Sequence, residues 1–346
     1  MRTPGVRGGD KAVPVLAFRD AREALRLDSS GRPRCQDSRE VLRALSIIAA
    51  TGSEDAVDEI VRNGFLAGAG ERYAVHVEPE MRVVGGGRFT MGSAAGGIPY
   101  FQGESPPHEV TLAGFAVSAV PVTNALYALF NPGRDLPSAV DDHPVVDVTW
   151  YDAALCAAWF GCVLPTEAQW EYACGAGSPQ EWCCAEADLP SYAWYSENAC
   201  GTVHQVATRA ANALGLFDFH GQVWEWCRDD FDVAFYSRAP AQDPVNLAVL
   251  ARGGTLPSQG QAPGPHGPEP PDGQKAPVIS SPAPWPAAAL PRAEQHKVTR
   301  GGSFCSLAEM CRTRFRFHEP AGFWASDLGF RLVSNRPPSP GRDTHA

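Results

Sequence analysis

Near its C-terminus the chain reads Arg300-Gly301-Gly302-Ser303-Phe304-Cys305, continues as Cys311-Arg312-Thr313-Arg314-Phe315-Arg316 and closes with Asp327-Leu328-Gly329-Phe330-Arg331-Leu332. A Gly-Gly-Ser followed by Gly-Phe-Arg is weak on its own, because glycine pairs punctuate any loop-rich chain. Its weight comes from the blocks that lead up to it. Gly86-Gly87-Arg88-Phe89-Thr90-Met91-Gly92-Ser93 comes first, then Pro121-Val122-Thr123-Asn124 and Val145-Val146-Asp147-Val148-Thr149-Trp150-Tyr151-Asp152-Ala153. Leu164-Pro165-Thr166-Glu167-Ala168-Gln169-Trp170-Glu171-Tyr172-Ala173, Asn212-Ala213-Leu214-Gly215-Leu216-Phe217-Asp218 and Gly221-Gln222-Val223-Trp224-Glu225-Trp226 follow.

Taken together, these blocks resemble the formylglycine-generating enzyme domain, also called the sulfatase-modifying factor domain. The resemblance runs from about Met81 to about Val333, with an interruption. It implies an α+β fold, the formylglycine-generating-enzyme-like variant of the C-type lectin fold, irregular and loop-rich. A small N-terminal helical appendage precedes it.

Composition narrows the function. The formal charge of -10 and a pI near 5.4 argue against a nucleic-acid binder, since phosphate recognition needs a clustered positive surface. Residues 1–16 hold no apolar core of signal-peptide length, and no apolar run elsewhere is long enough to span a bilayer, so the expected location is cytoplasmic and no membrane partner is expected. The ten cysteines are then expected to be reduced, mostly buried small hydrophobes, and without a CxxC pair a zinc site is disfavoured.

Residues 1–37 mix Gly, Pro and Arg and read as a flexible lead-in. Within 38–75, Val41, Leu42, Leu45 and Ile48 recur at helical spacing, Thr51-Gly52-Ser53 breaks the run, and Val57, Ile60 and Val61 resume it, which predicts a helical hairpin. The main domain, 81–333, is expected to open with strands over Val83–Met91 and Val110–Val117. Two helices have start signals: Thr149 with Asp152, and Thr166 with Gln169 after Pro165. Trp150, Trp159, Trp170 and Tyr172 read as core on or beside these helices. Residues 237–297 are rich in Pro, Ala, Gly and Gln and read as a surface insertion; residues 334–346 read as a disordered tail.

Enzymes of the resembled family oxidise a cysteine of a sulfatase segment to formylglycine, using molecular oxygen and a copper(I) ion held by two thiolates. Soft thiolates select copper(I), so both are needed. The family places the first cysteine three residues after the serine of Gly-Gly-Ser and the second eight after it. From Ser303 the second maps onto Cys311, but the first maps onto Ser306, with Cys305 one place early. A hydroxyl is a hard, poor substitute for a thiolate. In an extended segment a one-residue displacement turns Cys305 to the opposite face, and a bulge would restore it. Cys311, Cys305 and Ser303 are therefore the catalytic candidates only if the chain is an oxidase, with a sulfatase-type peptide as substrate.

The resemblance also implies a structural calcium site of hard oxygens, with Asn198 and Glu225 at matching positions. Gln222 stands where the family has asparagine, and pairing of Glu225 with an arginine such as Arg331 is the alternative. A hercynine-type iron oxygenase shares the C-terminal fold but needs an N-terminal histidine cluster; residues 38–66 contain no histidine. No phosphate-cradling Gly-x-x-x-x-Gly-Lys and no Gly-x-Ser-x-Gly elbow is present.

Without oxidase chemistry, what remains resembles the variable proteins of diversity-generating retroelements, in which residues between Gly-Gly-Ser and the closing strand form the ligand surface. The matching residues are Phe304, Leu307, Glu309, Phe315, Phe317, His318, Phe323 and Trp324. An exposed aromatic cluster suits recognition of a protein or small ligand, and core packing is the alternative, since alternate strand residues face inward. The expectation is a lectin-like binding protein with its surface on 303–326, the copper oxidase being the second reading.

Overall fold

Short strands that mix β-branched, aromatic and charged residues build three small sheets, and buried arginines tie them to neighbouring elements. A computed structural model describes residues 79–94, 103–131, 138–160, 162–247 and 296–334. The predicted lead-in, the helical hairpin and the tail beyond Ser334 lie outside these residues, as does most of the predicted insertion.

The first sheet joins β1 (Met81–Val84), β4 (Phe115–Ser118) and β9 (Val333–Ser334), all antiparallel. The second pairs β2 (Gly87–Met91) with β3 (His108–Leu112). The stretch expected as one strand to Met91 is thus broken. At Gly86 a side chain would lie 2.4 Å from the Leu112 carbonyl oxygen, so the chain passes too close to β3 for any residue with a Cβ. The third sheet has the order β7-β6-β5-β8, built from β5 (Trp224–Asp230), β6 (His296–Arg300), β7 (Arg316–Pro320) and β8 (Leu328–Gly329). Its β5–β8 pair is parallel and the others antiparallel.

Both predicted helix starts are present. Helix α1 (Asn124–Phe130) is capped by Thr123. Ahead of α2 (Trp150–Trp159), the Thr149 backbone N–H donates to Asp152 at 3.0 Å and the Asp152 N–H donates to the Thr149 hydroxyl at 3.1 Å. In α3 (Glu167–Gly175) Thr166 and Gln169 form the reciprocal capping box. Trp150 and Trp170 are buried, as expected for core. A single further turn, α4 (Leu189–Tyr192), follows.

The predicted insertion needs correction at both ends. Residues 237–247 belong to the domain: the Thr111 N–H donates to the Ala241 carbonyl at 2.7 Å, the Ala113 N–H to Asp243 at 2.7 Å, and the Asp230 N–H to the Asn246 carbonyl at 2.7 Å. His296 and Lys297 already belong to β6. A Pro- and Gly-rich composition misleads here because these segments gain order by bonding to existing strand edges instead of burying apolar surface. Ser334, assigned to the tail, pairs with Ala116.

The block motifs converge on a buried lattice of charges. Arg331 grips Glu225 through two bonds of 2.6 and 2.7 Å, and Arg316 grips Glu167 through two of 2.7 Å. Arg300 bonds Glu171 and the carbonyls of Thr313, Arg314 and Phe315. Arg300 and Arg331 have no solvent exposure, so both guanidiniums depend on these partners; the Arg300 Nε, 3.7 Å from a Glu167 oxygen, makes no hydrogen bond. Glu167 and Glu171 sit one helical turn apart on α3, which explains how one short helix serves two strands.

Candidate ligand surface and thiol site

After β6 the chain turns sharply at Gly301 (φ 102°) and Gly302 (φ 71°), which delivers Ser303 into a polar knot. The Ser303 hydroxyl donates to Asp327 at 2.8 Å and lies 3.1 Å from the Ser306 hydroxyl. The Ser303 backbone N–H donates to the Ser306 hydroxyl at 3.0 Å, and the Ser306 N–H returns to the Ser303 carbonyl at 3.0 Å. Ser303, Ser306 and Asp327 are all buried. Ser306, at the family's first thiolate position, therefore has a fixed structural task.

Cys305 is half-buried, its sulfur 3.2 Å from the Ser303 hydroxyl and donating to Asp327 at 3.4 Å. Burial, with the Asp327 carboxylate adding to it, pushes its thiol up to about 11. Cys311 ends the 3-10 turn Ala308–Cys311 and is wholly buried among Trp182, Leu189, Ala193 and Tyr195. Its sulfur lies 2.7 Å from where a Cβ on Gly302 would stand, so the positive φ and the absent side chain at Gly302 are both required. Burial raises the Cys311 thiol well above its usual range, and nearby Cys305 and Glu309 raise it further. A copper(I) site needs two thiolates. Here the first position holds a hydroxyl already bonded into the turn, a hard group that offers copper(I) no thiolate, so the family's two-thiolate pair is not reproduced at those positions and Cys305 stands one place early.

The calcium candidates, Asn198 and Glu225, are engaged in bonds within the chain. Both Glu225 oxygens are taken by Arg331, and one also accepts from the Trp170 indole at 2.8 Å. The Asn198 side-chain oxygen accepts from the Tyr195 N–H at 2.9 Å while its amide donates to the Ala193 carbonyl at 2.9 Å, making a local turn. Gln222 is likewise spent, accepting from the His204 N–H at 3.0 Å and donating to the His204 carbonyl at 2.8 Å. Glu225 thus serves Arg331 and Trp170, while Asn198 closes a local turn through one bond accepted by its oxygen.

The predicted ligand residues divide. Leu307 (55 % exposed) and Trp324 (42 % exposed) stand out into solvent, and Glu309 is exposed. Phe304, Phe317, His318 and Phe323 are half-buried. Phe315 is a correction: it has no exposure and packs with its ring centroid 5.9 Å from that of Trp224. His318 is engaged by Phe231, at 4.0 Å between ring centroids, and by His296, with Nδ1 atoms 2.7 Å apart. Beside Phe317 lies Trp224, whose ring centroid is 5.9 Å away. Glu319 faces the same region; burial and the Asp327 charge push its carboxyl up to about 7.

Sequence reasoning does not single out Ser306, Asp327, Trp224 or Glu319 as binding residues. Asp327 and Trp224 stand inside the sequence blocks, so a signal exists for them; Glu319 has none beyond its strand position. Behind the knot, His220 is wholly buried and held neutral, lowered to about 4 by desolvation. Its Nδ1 bonds the Cys311 carbonyl at 2.8 Å and its Nε2 accepts from the Cys183 N–H at 3.1 Å. No group of three or more metal-binding His, Cys, Asp or Glu side chains occurs among the described residues, and no described helix is long and apolar enough to cross a membrane.

Comparison with known proteins agrees with this geometry. The model of the sulfatase-modifying factor enzyme 1-like domain matches residues 68–336. The serine/threonine-protein kinase Pkn1 of Chlamydia trachomatis is 30% identical over 53% of this chain, which spans only 35% of that kinase's length. The formylglycine-generating enzyme of Streptomyces coelicolor is 30% identical, with 49% of this chain covering 76% of it. The structure of Treponema denticola variable protein 1 superposes with a TM-score of 0.50 at 21% identity, over 74% of this chain and 95% of that one; this is a likeness of fold. The chain belongs to the sulfatase-modifying factor enzyme 1-like family and has its variant of the C-type lectin fold.

Proposed function

We propose that the chain is a lectin-like member of its family that binds a protein or small ligand through segment 303–326 and lacks the family's oxidase activity. The observation that carries this is Ser306: a hydroxyl stands at the first thiolate position, bonded into the turn by Ser303 at 3.0 and 3.1 Å. Around it, Leu307 and Trp324 present apolar surface beside the half-buried Phe304, Phe317 and Phe323. Aromatic anchors next to a polar knot are the arrangement that binding hot spots use. The formal charge of -10 favours such a partner over nucleic acid.

Oxidation of a sulfatase peptide is the second reading, favoured by Cys305 lying close enough to Cys311 to raise its thiol further. Titration of the reduced protein with copper(I), with Cys311→Ser as control, separates the two. It is followed by oxygen uptake with a peptide carrying Cys-x-Pro-x-Arg. The binding reading expects no stoichiometric copper and no turnover. Tight one-to-one copper lost in the control, with peptide oxidation, overturns it.

A further inference from the structure

Two histidines that neither the thiol site nor the calcium candidates involve meet across β6 and β7. Register places His296 opposite Pro320 and Val298 opposite His318, so His296 and His318 stand on one face of the paired strands, diagonal to each other. Their Nδ1 atoms approach to 2.7 Å, and both residues are half-buried, so solvent still reaches the pair. We propose that His296 and His318 form a two-imidazole site for a divalent transition-metal ion of the copper(II) or nickel(II) kind, with water completing the coordination shell.

The separation of the two nitrogens selects the class of ion. With metal–nitrogen bonds of about 2.0 Å, two ligands at a right angle stand about 2.8 Å apart and two tetrahedral ligands about 3.3 Å apart. The 2.7 Å separation therefore matches neighbouring corners of a square-planar or tetragonal shell. Copper(II) and nickel(II) favour that shell, and imidazole suits both.

The ligands are also held in place in advance. The His318 ring lies against Phe231, with 4.0 Å between centroids, and stacks with the Phe317 ring at an interplanar angle of 8°. Beneath His296 the backbone is fixed by the Phe231 N–H, which donates to the His296 carbonyl at 2.8 Å. Rings fixed in this way lose little rotamer freedom when an ion binds.

Protonation suits a ligand as well. Desolvation, with His296 and Arg316 adding to it, lowers His318 to about 4, so this ring is neutral near pH 7. The Arg316 charge is itself met by two bonds to Glu167. At 2.7 Å one Nδ1–H donates to the other Nδ1. Binding shifts that hydrogen to Nε2 of the same ring, so both Nδ1 lone pairs face the ion and no net proton is released. The site stands independently of what segment 303–326 binds.

The test uses the full chain with its accessible thiols blocked by N-ethylmaleimide, so that cysteine sulfur does not compete, and titrates it with nickel(II) chloride in a calorimeter. One ion per chain is expected, and His296→Ala and His318→Ala should each abolish that binding. Absence of stoichiometric binding, or binding that survives either substitution, overturns the proposal and leaves the pair as a hydrogen bond alone. Should a variant misfold, the unaltered blocked chain is treated with copper(II) and ascorbate, which oxidise histidines that hold the metal, and the oxidised residues are mapped by peptide mass. Added oxygen on His296 or His318 is expected. Oxidation confined to other histidines, or none, overturns the site.

Discussion

The sheet β7-β6-β5-β8 and the loop system that follows β6 come from the same stretch of chain, yet they are held in opposite ways. In and beside the sheet, Arg300, Arg316 and Arg331 pair with Glu171, Glu167 and Glu225 and have almost no exposure. In the loops, Leu307 and Trp324 are open to solvent and the polar knot is held by neutral hydroxyls around one carboxylate. Buried ion pairs tolerate no vacancy, because removing one partner leaves a desolvated charge. Surface apolar residues cost little to exchange. The molecule thus combines a scaffold that resists substitution with a surface that accepts it, the combination that the proposed binding role calls for.

The sharpest way to break this contrast is to remove one buried charge. Glu225→Ala should cost about 3–5 kcal/mol by urea unfolding, since it strands Arg331. A loss under about 1 kcal/mol, the range of exposed pairs, would show that the lattice does not hold the scaffold. Next comes a paired comparison of aromatics. Phe315→Ala should cost about 3–5 kcal/mol as a core truncation. Trp324→Ala, in contrast, should stay within about 1 kcal/mol while reducing binding of any partner of the surface. Equal costs would erase the division between the two regions.

A smaller effect is expected at the turn that joins them. Gly302→Ala has to accept φ 71° and a methyl 2.7 Å from the Cys311 sulfur, so a loss of about 1–3 kcal/mol is expected. Adding Cys311→Ala should recover part of that loss, and absence of any recovery would remove the contact from the account. The smallest effect concerns pH. The Glu319 carboxyl is raised to about 7 in the folded chain, so the folded state binds more protons than the unfolded state between its ordinary value and about 7. Its contribution is present at low pH and lost as pH rises through about 7. Urea midpoints from pH 4.5 to 8 should therefore fall in the parent, and Glu319→Gln should flatten part of that slope; an unchanged slope would show that Glu319 is solvated.

Much of the scaffold is legible in the order of residues. Thr149 with Asp152 and Thr166 with Gln169 announce their helices because a cap is a local contact, complete within three residues. The pairing of Glu225 with Arg331, one of two partners the sequence allows for that carboxylate, is the one the fold adopts. The same carboxylate is the calcium candidate, and no local pattern tells whether it points at a cation or a guanidinium. Phe315 departs from expectation for a related reason: it lies just before β7, its neighbour Arg314 is partly exposed, and the packing against Trp224 decides which side of the segment is inside.

The family, the order of its blocks, the helix starts and the displaced thiol all follow from the chain as written, because each is a matter of residue identity and short-range spacing. The folded molecule was needed to establish that Ser306 is bonded into the turn, that Glu225 is spent on an arginine, and that residues 237–247 bind strand edges. It was needed, too, for the link that His220 makes between Cys183 and Cys311. These bonds join residues that only folding brings together, or select one of several partners a side chain can satisfy. Burial makes that choice by penalising every donor or acceptor left without one.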